Sequence, residues 1–278
     1  AISSTHEHDS HAESNLEQRF GEVQAIFMVT VKHLDKRHTV LNSRNHLDQP
    51  LGFLVNDWQP PPLPSKEVLK GGFCSLEPLE IKHAESLFAS FNLDTEGRNW
   101  TYLPYGPFDS LTSFSSWIEK DCLGNDPLFF AVIERTSGKA IGIASYLRIM
   151  PNSGSIEVGH INYSPLLQRT PAATEAMYLM MSKAFELGYR RYEWKCDTLN
   201  APSRATAQRL GFSFEGIFRQ ATVVKGRNRD TSWYAITDSD WLELKKAYLQ
   251  WLSPENFNEL GVQKLRLSKL THSLSKIN

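Results

Sequence analysis

The chain has 278 residues, 41% of them hydrophobic, and is long enough to bury one substantial core. Its 30 basic and 31 acidic side chains leave a net charge of −1, which argues against a nucleic-acid partner and an anionic membrane surface. The longest purely apolar runs fall far short of the roughly 20 residues that a membrane-spanning helix needs. Three scattered cysteines (Cys74, Cys122 and Cys196) exclude a disulfide framework, so we expect a reducing, cytoplasmic location.

The first part of the chain, residues 1–45, is polar and rich in serine, glutamate and histidine, which predicts a disordered or poorly ordered tail. Its histidines His6, His8 and His11 could gather a metal ion. Nothing apolar would hold those side chains together, so we predict no metal site. Because the chain begins with Ala1 and lacks the apolar core of a signal peptide, we expect its natural start to be missing or processed.

A proline-rich lead-in over residues 46–70 favours extended structure and precedes a folded domain predicted over residues 71–278. From Phe73 onward, the hydrophobic pattern switches between the period typical of strands and the period typical of helices. In chain order it predicts a strand over 72–79, helices over 81–91 and 110–122, and strands over 128–135, 140–149 and 155–164. Residues 136–139 supply the hairpin turn that joins the first two strands of this meander.

A long apolar helix comes next, and Gly188 ends it. Its buried stripe has helical spacing and consists of Ala173, Ala176, Met177, Met180, Ala184 and Leu187. A strand over 191–196, a short helix over 201–210, a hairpin with strands over 214–225 and 231–237, and a C-terminal helix from about 238 follow. The order β-α-α-β-β-β-α-β-α-β-β predicts an α/β fold with a mixed, mostly antiparallel sheet and helices on both faces.

The loop before the long helix has the features of a phosphate site. A helix N-terminus presents unpaired backbone N–H groups and the positive end of the helix dipole. Gln168, Arg169 and Thr170 add side-chain donors, and the small residues Ala172 and Ala173 let a ligand approach the backbone. An ordinary helix start with polar caps is the alternative.

The order of these parts resembles the Gcn5-related N-acetyltransferase (GNAT) family, and within it the RimJ/RimL-like group. The acetyl-CoA loop of that family reads Gln/Arg-x-x-Gly-x-Gly/Ala. Gln168 matches its first position and Ala173 its last, whereas Pro171 replaces the first glycine. The similarity continues through "TEA" from Thr174, the Asn-x-x-Ser of Asn200 and Ser203, and "RLGF" at 209–212, and it covers about residues 72–240.

The resemblance implies a GNAT-like fold and an acetyl-CoA co-substrate, with no metal. It places the pyrophosphate against six residues of the loop and helix start: Gln168, Arg169, Thr170, Ala172, Ala173 and Thr174. Proline has no N–H, so Pro171 removes one potential donor, although it is tolerated in the first turn of a helix. We therefore expect acetyl-CoA binding to be weakened or unchanged, not lost.

The resemblance also assigns roles beyond the phosphates. In the family, the strands on either side of the long helix splay apart, and Asn200 matches the residue that hydrogen-bonds the pantetheine arm in that gap. Ser203 matches the group that protonates the departing thiolate, and its alternative is an early-helix serine that satisfies backbone donors. Glu157 is predicted to deprotonate the acceptor amine, directly or through water, and its alternative is a strand glutamate that simply faces solvent. His160, which would titrate nearer neutrality, is the second candidate for this role.

The implied reaction is direct attack of a primary amine on the thioester, and the acceptor is a small molecule, a peptide or a protein N-terminus. An α-amine with a pKa near about 8 loses its proton more readily than a lysine near about 10.4, which mildly favours α-amines. Trp100, Tyr102 and Tyr105 are predicted to line an acceptor pocket suited to an apolar or cationic group, or else to pack beneath their loop. We expect a monomer or homodimer, and the alternative function is a non-catalytic acyl-CoA-binding module.

Overall fold

The computed structural model of the protein describes residues 43–272, which divide into two compact units. Most of the predicted tail, with His6, His8 and His11, lies outside the described residues. In the first unit, residues 43–58 form a turn in which Asn45 Oδ1 accepts hydrogen bonds from the N–H groups of Leu47 and Gln49. The second unit begins at Gln59 and contains every element discussed below.

The second unit is built on one eight-stranded sheet. Its strands are β1 (Leu69–Lys70), β2 (Cys74–Pro78), β3 (Leu128–Glu134), β4 (Ala140–Met150), β5 (Ser155–Tyr163), β6 (Arg191–Asp197), β7 (Ser213–Val224) and β8 (Arg227–Thr237). They lie side by side in the order β1-β2-β3-β4-β5-β6-β8-β7. Every neighbouring pair is antiparallel except β5 and β6, which are parallel because a helix connects them.

Six α-helices accompany this sheet: α1 (Ala84–Phe91), α2 (Leu111–Trp117), α3 (Pro171–Glu186), α4 (Ala201–Arg209), α5 (Asp238–Leu252) and α6 (Leu267–His272). α1 and α2 form one core with the sheet, around Phe91 and Phe114. A second, larger core contains residues of α3, α4, α5 and α6, including Met180 and Trp241. Two cores on one sheet place helices on both faces, and the predicted fold class is confirmed.

The order of the predicted elements agrees with the structure, with three differences. The edge strand β1 and the C-terminal helix α6 were not predicted, and both are short. The last hairpin has a tighter turn than predicted, because Lys225 and Gly226 both have positive φ and β8 begins at Arg227. The charged run that follows Gly226 looked like a loop but is the polar start of a strand.

One buried carboxylate joins α3 to the start of β2. Glu175 is 5% exposed, and its two oxygens accept hydrogen bonds from the N–H groups of Gly72, Phe73 and Cys74 at 2.6–2.8 Å. Three charge-assisted bonds fix the register of β2 against the helix that follows the cofactor loop. The sequence shows Glu175 only as part of the "TEA" motif.

The part of the predicted lead-in that belongs to the second unit, residues 59–70, contacts α3 and the turn after it. The Tyr189 hydroxyl donates to the Pro62 carbonyl at 3.2 Å, and Lys183 of α3 forms a 2.5 Å ion pair with Glu67. No helix between residues 43 and 272 combines the length and the apolar character that crossing a bilayer requires. The three cysteines are free and buried.

Candidate active site

The sheet opens at the centre of the molecule, between its two parallel strands. β5 and β6 pair from Ser155 and Arg191 as far as Val158 and Trp194, where their pairing ends. Beyond that point β5 stays bonded to β4 and β6 stays bonded to β8, so the two strands separate. A cleft of about 1580 Å³ contains this gap. Residues 159–163 of β5 and 195–197 of β6 are among those that line it.

The loop before α3 lies on one wall of the cleft. Thr170 caps the helix, since its Oγ1 accepts from the N–H of Ala173 at 3.2 Å. The Gln168 side chain donates to Asn99 Oδ1 and to the Tyr163 carbonyl, and so ties this loop to the 99–105 loop. Arg169 has a φ of 62° and forms no ion pair with a carboxylate of the described chain. The same wall includes Thr174, whereas Ala172 is buried and does not line the cleft.

Helix α4 brings the predicted acid to the other side of the gap. Asn200 is its N-cap and accepts from the N–H of Ser203 through Oδ1 at 3.1 Å. The indole Nε1–H of Trp194 donates to Ser203 Oγ at 3.0 Å. Because the hydroxyl oxygen accepts this bond, its own proton is available to another acceptor. Both Asn200 and Ser203 line the cleft.

Glu157 lies on β5, is 2% exposed and is held by two cations. Arg148 donates to both of its oxygens, at 2.8 and 3.1 Å, and Lys195 Nζ lies 2.9 Å from Oε2. Lys195 also pairs with Glu193 at 2.7 Å and lies over the Trp233 ring. The carboxylate of Glu157 is therefore part of a buried ion network. Its two cationic partners come from the neighbouring strands, Arg148 from β4 and Lys195 from β6.

His160 lies two residues beyond Val158, the last residue of β5 that pairs with β6, at a bulge in the pairing with β4 where its φ is 50°. Its Nδ1 is 3.0 Å from the Tyr105 hydroxyl, and the two rings are stacked. Burial first, and then the charges of Arg148 and Arg229, lower the pKa of His160 to about 4. Burial also raises the pKa of Tyr105 well above its usual value, so the phenol keeps its proton. The imidazole is consequently neutral at physiological pH.

The three aromatic residues predicted to bind the acceptor lie in the loop between α1 and α2, and the structure places them in different surroundings. Tyr102 lines the cleft and its hydroxyl donates to the Leu199 carbonyl at 3.1 Å. Tyr105 is hydrogen-bonded to His160 and stacks on its ring. Trp100 is 5% exposed and packs edge-on against Phe91 beneath the loop, away from the cleft.

Comparisons with known proteins identify the fold and the chemistry. The sequence model of the acetyltransferase (GNAT) domain family matches residues 75–213. A GCN5-related N-acetyltransferase from Brucella melitensis is 47% identical, with 78% of this chain and 100% of that chain covered and a TM-score of 0.76. The chain belongs to the GNAT family. As a GNAT enzyme it is an N-acetyltransferase that uses acetyl-CoA.

Other GNAT structures are similar over most of their length. A probable acetyltransferase of the family from Chromobacterium violaceum is 41% identical, with 69% of this chain and 97% of that chain covered and a TM-score of 0.65. The microcin C7 self-immunity acetyltransferase MccE, in complex with acetyl-CoA and AMP, is 23% identical over 60% of this chain and 93% of its own, with a TM-score of 0.54. The last likeness shows the fold alone. A comparison with proteins of curated function gives no match.

The cleft of this GNAT enzyme suits the anionic co-substrate of the family. Although the whole chain is slightly acidic, seven basic side chains line the cleft and only two acidic ones, Glu157 and Asp197. The basic residues are Arg98, Arg148, Arg169, Lys195, Arg209, Arg229 and Arg266. Burial lowers the pKa of Arg209, whose guanidinium donates only to Thr174 Oγ1 among the described groups, so a bound phosphate would offset an unpaired charge.

Asn162 gives a second sign of a missing partner in the gap between β5 and β6. Its side chain is 1% exposed and lines the cleft, and neither amide atom has a hydrogen-bond partner among residues 43–272. A buried amide without partners costs folding free energy unless a ligand or water supplies the bonds. The amide groups of a pantetheine arm would do so. Between residues 43 and 272 no group of side chains has the composition of a metal site.

Sequence reasoning missed the partners of the predicted residues. Asn162 is a polar residue in an otherwise apolar strand, and this signal could have found it. Lys195 alternates with Trp194 along β6, but its pairing with Glu157 depends on the register of two parallel strands. Arg209 belongs to the "RLGF" motif at 209–212, but the motif alone does not indicate that it binds a ligand. No feature of the sequence around Arg229 indicates that this residue lines the cleft.

Proposed function

We propose that this enzyme transfers the acetyl group of acetyl-CoA to a primary amine, either the α-amine of a peptide or protein N-terminus or that of a small molecule. The proposal rests on two groups that line the cleft: His160, which burial keeps neutral, and Ser203, whose hydroxyl oxygen accepts from Trp194 and so keeps its own proton for donation. One group can take a proton and the other can give one. The resemblance to RimJ/RimL-like enzymes supports the choice of an α-amine.

Acetyl-CoA supplies the activated thioester. Arg169, Thr170, Thr174 and Arg209 would hold its phosphates at the N-terminus of α3, where N–H groups and the helix dipole favour negative charge. Backbone groups of 159–163, with Asn162 and Asn200, would hold its amide-bearing arm. Positioning both reactants in one cleft accounts for about 7–11 kcal/mol of barrier reduction in well-oriented reactions.

In the reaction a bond forms between the amine nitrogen and the acetyl carbonyl carbon, and the bond from that carbon to sulfur breaks. The nitrogen loses one proton and the sulfur gains one. His160 accepts the first proton at Nε2, in the tautomer whose Nδ1–H donates to the Tyr105 oxygen. Ser203 donates the second, and the Trp194 indole keeps its hydroxyl oriented. Tyr105 is a positioning residue because it acts through His160.

Glu157 is the alternative base. Its two oxygens are engaged by Arg148 and Lys195, so it would have to release one cation before it could accept a proton directly. A water between Glu157 and the amine would avoid that step. We propose that Glu157 instead fixes Arg148 and Lys195 on the acceptor side of the cleft.

An acceptor screen tests the proposed function. The protein is incubated with acetyl-CoA and a set of amines and short peptides, and acetylation is read by mass spectrometry alongside thiol release. We expect an acetylated amine or N-terminus, and loss of that product in His160→Gln. Calorimetric binding of acetyl-CoA without thiol release across the set would favour the non-catalytic acyl-CoA-binding alternative. The cytoplasmic location stays a prediction from the cysteines.

A further inference from the structure

Six charged side chains of β4, β5, β6 and β7 balance one another, and three of them line the cleft. Three cations, Arg148, Lys195 and Arg191, form ion pairs with three carboxylates, Glu157, Glu193 and Glu215. The network is therefore neutral as a whole and holds its members in place. Arg229 also lines the cleft but lies outside this network, with no carboxylate partner among residues 43–272.

Arg229 lies on β8, is half-buried and lines the cleft. Its Nε donates to Thr231 Oγ1 at 3.2 Å, and it forms no ion pair within the described chain. Asp197, the other acid of the cleft, is in register with Thr231 and accepts instead from the N–H of Leu199. A guanidinium has five N–H donors, so most of those on Arg229 are available to a ligand.

Arg229 lines the same cleft as His160 and Ser203. Burial is the main cause of the low pKa of His160, and the charges of Arg148 and Arg229 add to it. Burial raises the pKa of Cys196, next to Ser203, and hydrogen bonding to Ser203 and the charge of Arg229 oppose that rise. Arg229 thus acts electrostatically on both sides of the reacting centre. Phe218 and Trp233, stacked at 4.2 Å, add an apolar wall on the same hairpin.

Arg229 is not placed to bind the phosphates of acetyl-CoA. They belong at the N-terminus of α3, near Arg169 and Arg209, which come from other elements than β8. A cationic acceptor would suit the aromatic loop, but it would meet the like charge of Arg229 at this end.

We propose that the acceptor amine carries an oxyanion, a carboxylate or a phosphate, and that Arg229 binds it with paired N–H donors beside the Phe218–Trp233 wall. This inference rests on the proposed acetyl transfer. It narrows the acceptor to amino acids, acidic N-terminal peptides and amine phosphates. Guanidinium matches the planar geometry of such groups and forms charge-assisted bonds with them.

The test uses amines that differ only in the anionic group. Tyrosine with tyramine, tryptophan with tryptamine, and β-alanine with ethylamine test a carboxylate, and O-phosphoethanolamine with ethanolamine tests a phosphate. For each pair, kcat/KM is measured with acetyl-CoA. Binding of the N-acetylated products to the CoA complex is measured by calorimetry, which needs no turnover.

We expect the anionic member of at least one pair to be preferred about tenfold or more, and Arg229→Gln to lower that preference about 10- to 100-fold. Arg227→Gln is the matched control, because Arg227 is an exposed cation at the start of the same strand and does not line the cleft. It should leave the preference unchanged. Whether the preference appears in the carboxylate pairs or in the phosphate pair shows which of the two groups Arg229 binds.

The proposal is overturned if no pair shows a preference for the anionic member in rate or in product binding, or if Arg229→Gln retains the preference. If acetyl-CoA binds but no amine is acetylated, the proposed transfer fails. The calorimetric comparison of the product pairs then still decides the role of Arg229. An equal fall in Arg227→Gln would assign the effect to the overall charge of the hairpin.

Discussion

A neutral His160 predicts a pH dependence of stability that a single substitution should remove. In the unfolded chain a histidine takes up a proton near pH 6.5. In the folded protein burial first, and then the charges of Arg148 and Arg229, hold the pKa of His160 at about 4. Between these two values the unfolded state binds more protons than the folded state, so stability falls as the pH falls from about 6.5 toward 4.

The size of this effect follows from the two pKa values. Each unit of difference corresponds to about 1.36 kcal/mol, so the full effect approaches about 3.4 kcal/mol below pH 4. At pH 4.5 it amounts to about 2.5 kcal/mol, and above pH 7.5 it is close to zero. His160→Gln has no imidazole and should lose this contribution.

The assay is urea denaturation of both proteins at pH 7.5 and at pH 4.5. Carboxylates also titrate in this range, but they do so in both proteins and cancel in the comparison. We expect the unfolding free energy of the wild type to fall by about 2.5 kcal/mol more than that of His160→Gln. His46→Gln, which changes an exposed histidine of the first unit, should follow the wild type. Equal pH dependence in wild type and His160→Gln would refute the neutral imidazole and weaken its role as base.

Three further predictions concern the cleft and its support. Ser203→Ala should lower kcat about 10²-fold and leave the calorimetric Kd for acetyl-CoA unchanged, because the bound thioester carries no charge on sulfur; full kcat would return Ser203 to a structural role. Glu157→Gln should lower the unfolding free energy in urea by about 3 kcal/mol, since Lys195 loses one of its two carboxylate partners, and should leave the shape of the pH–rate profile unchanged. A changed profile would restore Glu157 as the base. Arg209→Gln should weaken acetyl-CoA binding about tenfold by calorimetry, and an unchanged Kd would place the phosphates elsewhere.

Local features of the site could be predicted from the sequence because they depend on neighbouring residues. The caps of α3 and α4 are of this kind: Thr170 and Asn200 each accept a bond from an N–H three residues later. The apolar stripe of α3 and the positive φ of Gly188 depend equally on local spacing. The resemblance to the GNAT motifs assigned functions to the loop before α3, to Asn200 and to Ser203.

Contacts between distant segments could not be predicted in the same way. Glu157 is a strand carboxylate in the sequence, and only the register of β5 with β4 and β6 shows that Arg148 and Lys195 engage it. Tyr105 and His160 meet because a loop between two helices folds over the end of β5. The sequence left two roles open for Trp100, and its burial depends on packing against α1. Such contacts follow from tertiary geometry, which propensity and periodicity do not encode.

The charge of the chain illustrates the same limit for function. A net charge of −1 argues against binding to long polyanions, since that needs an extended basic surface. It gives no information about a cleft, where a few cations act at short range in a less polar medium. What distinguishes a structural cation from a binding cation is its partner. Lys195 pairs with two carboxylates and stabilises the sheet, whereas within residues 43–272 Arg209 and Arg229 bond only to hydroxyl groups and retain donors for an anion.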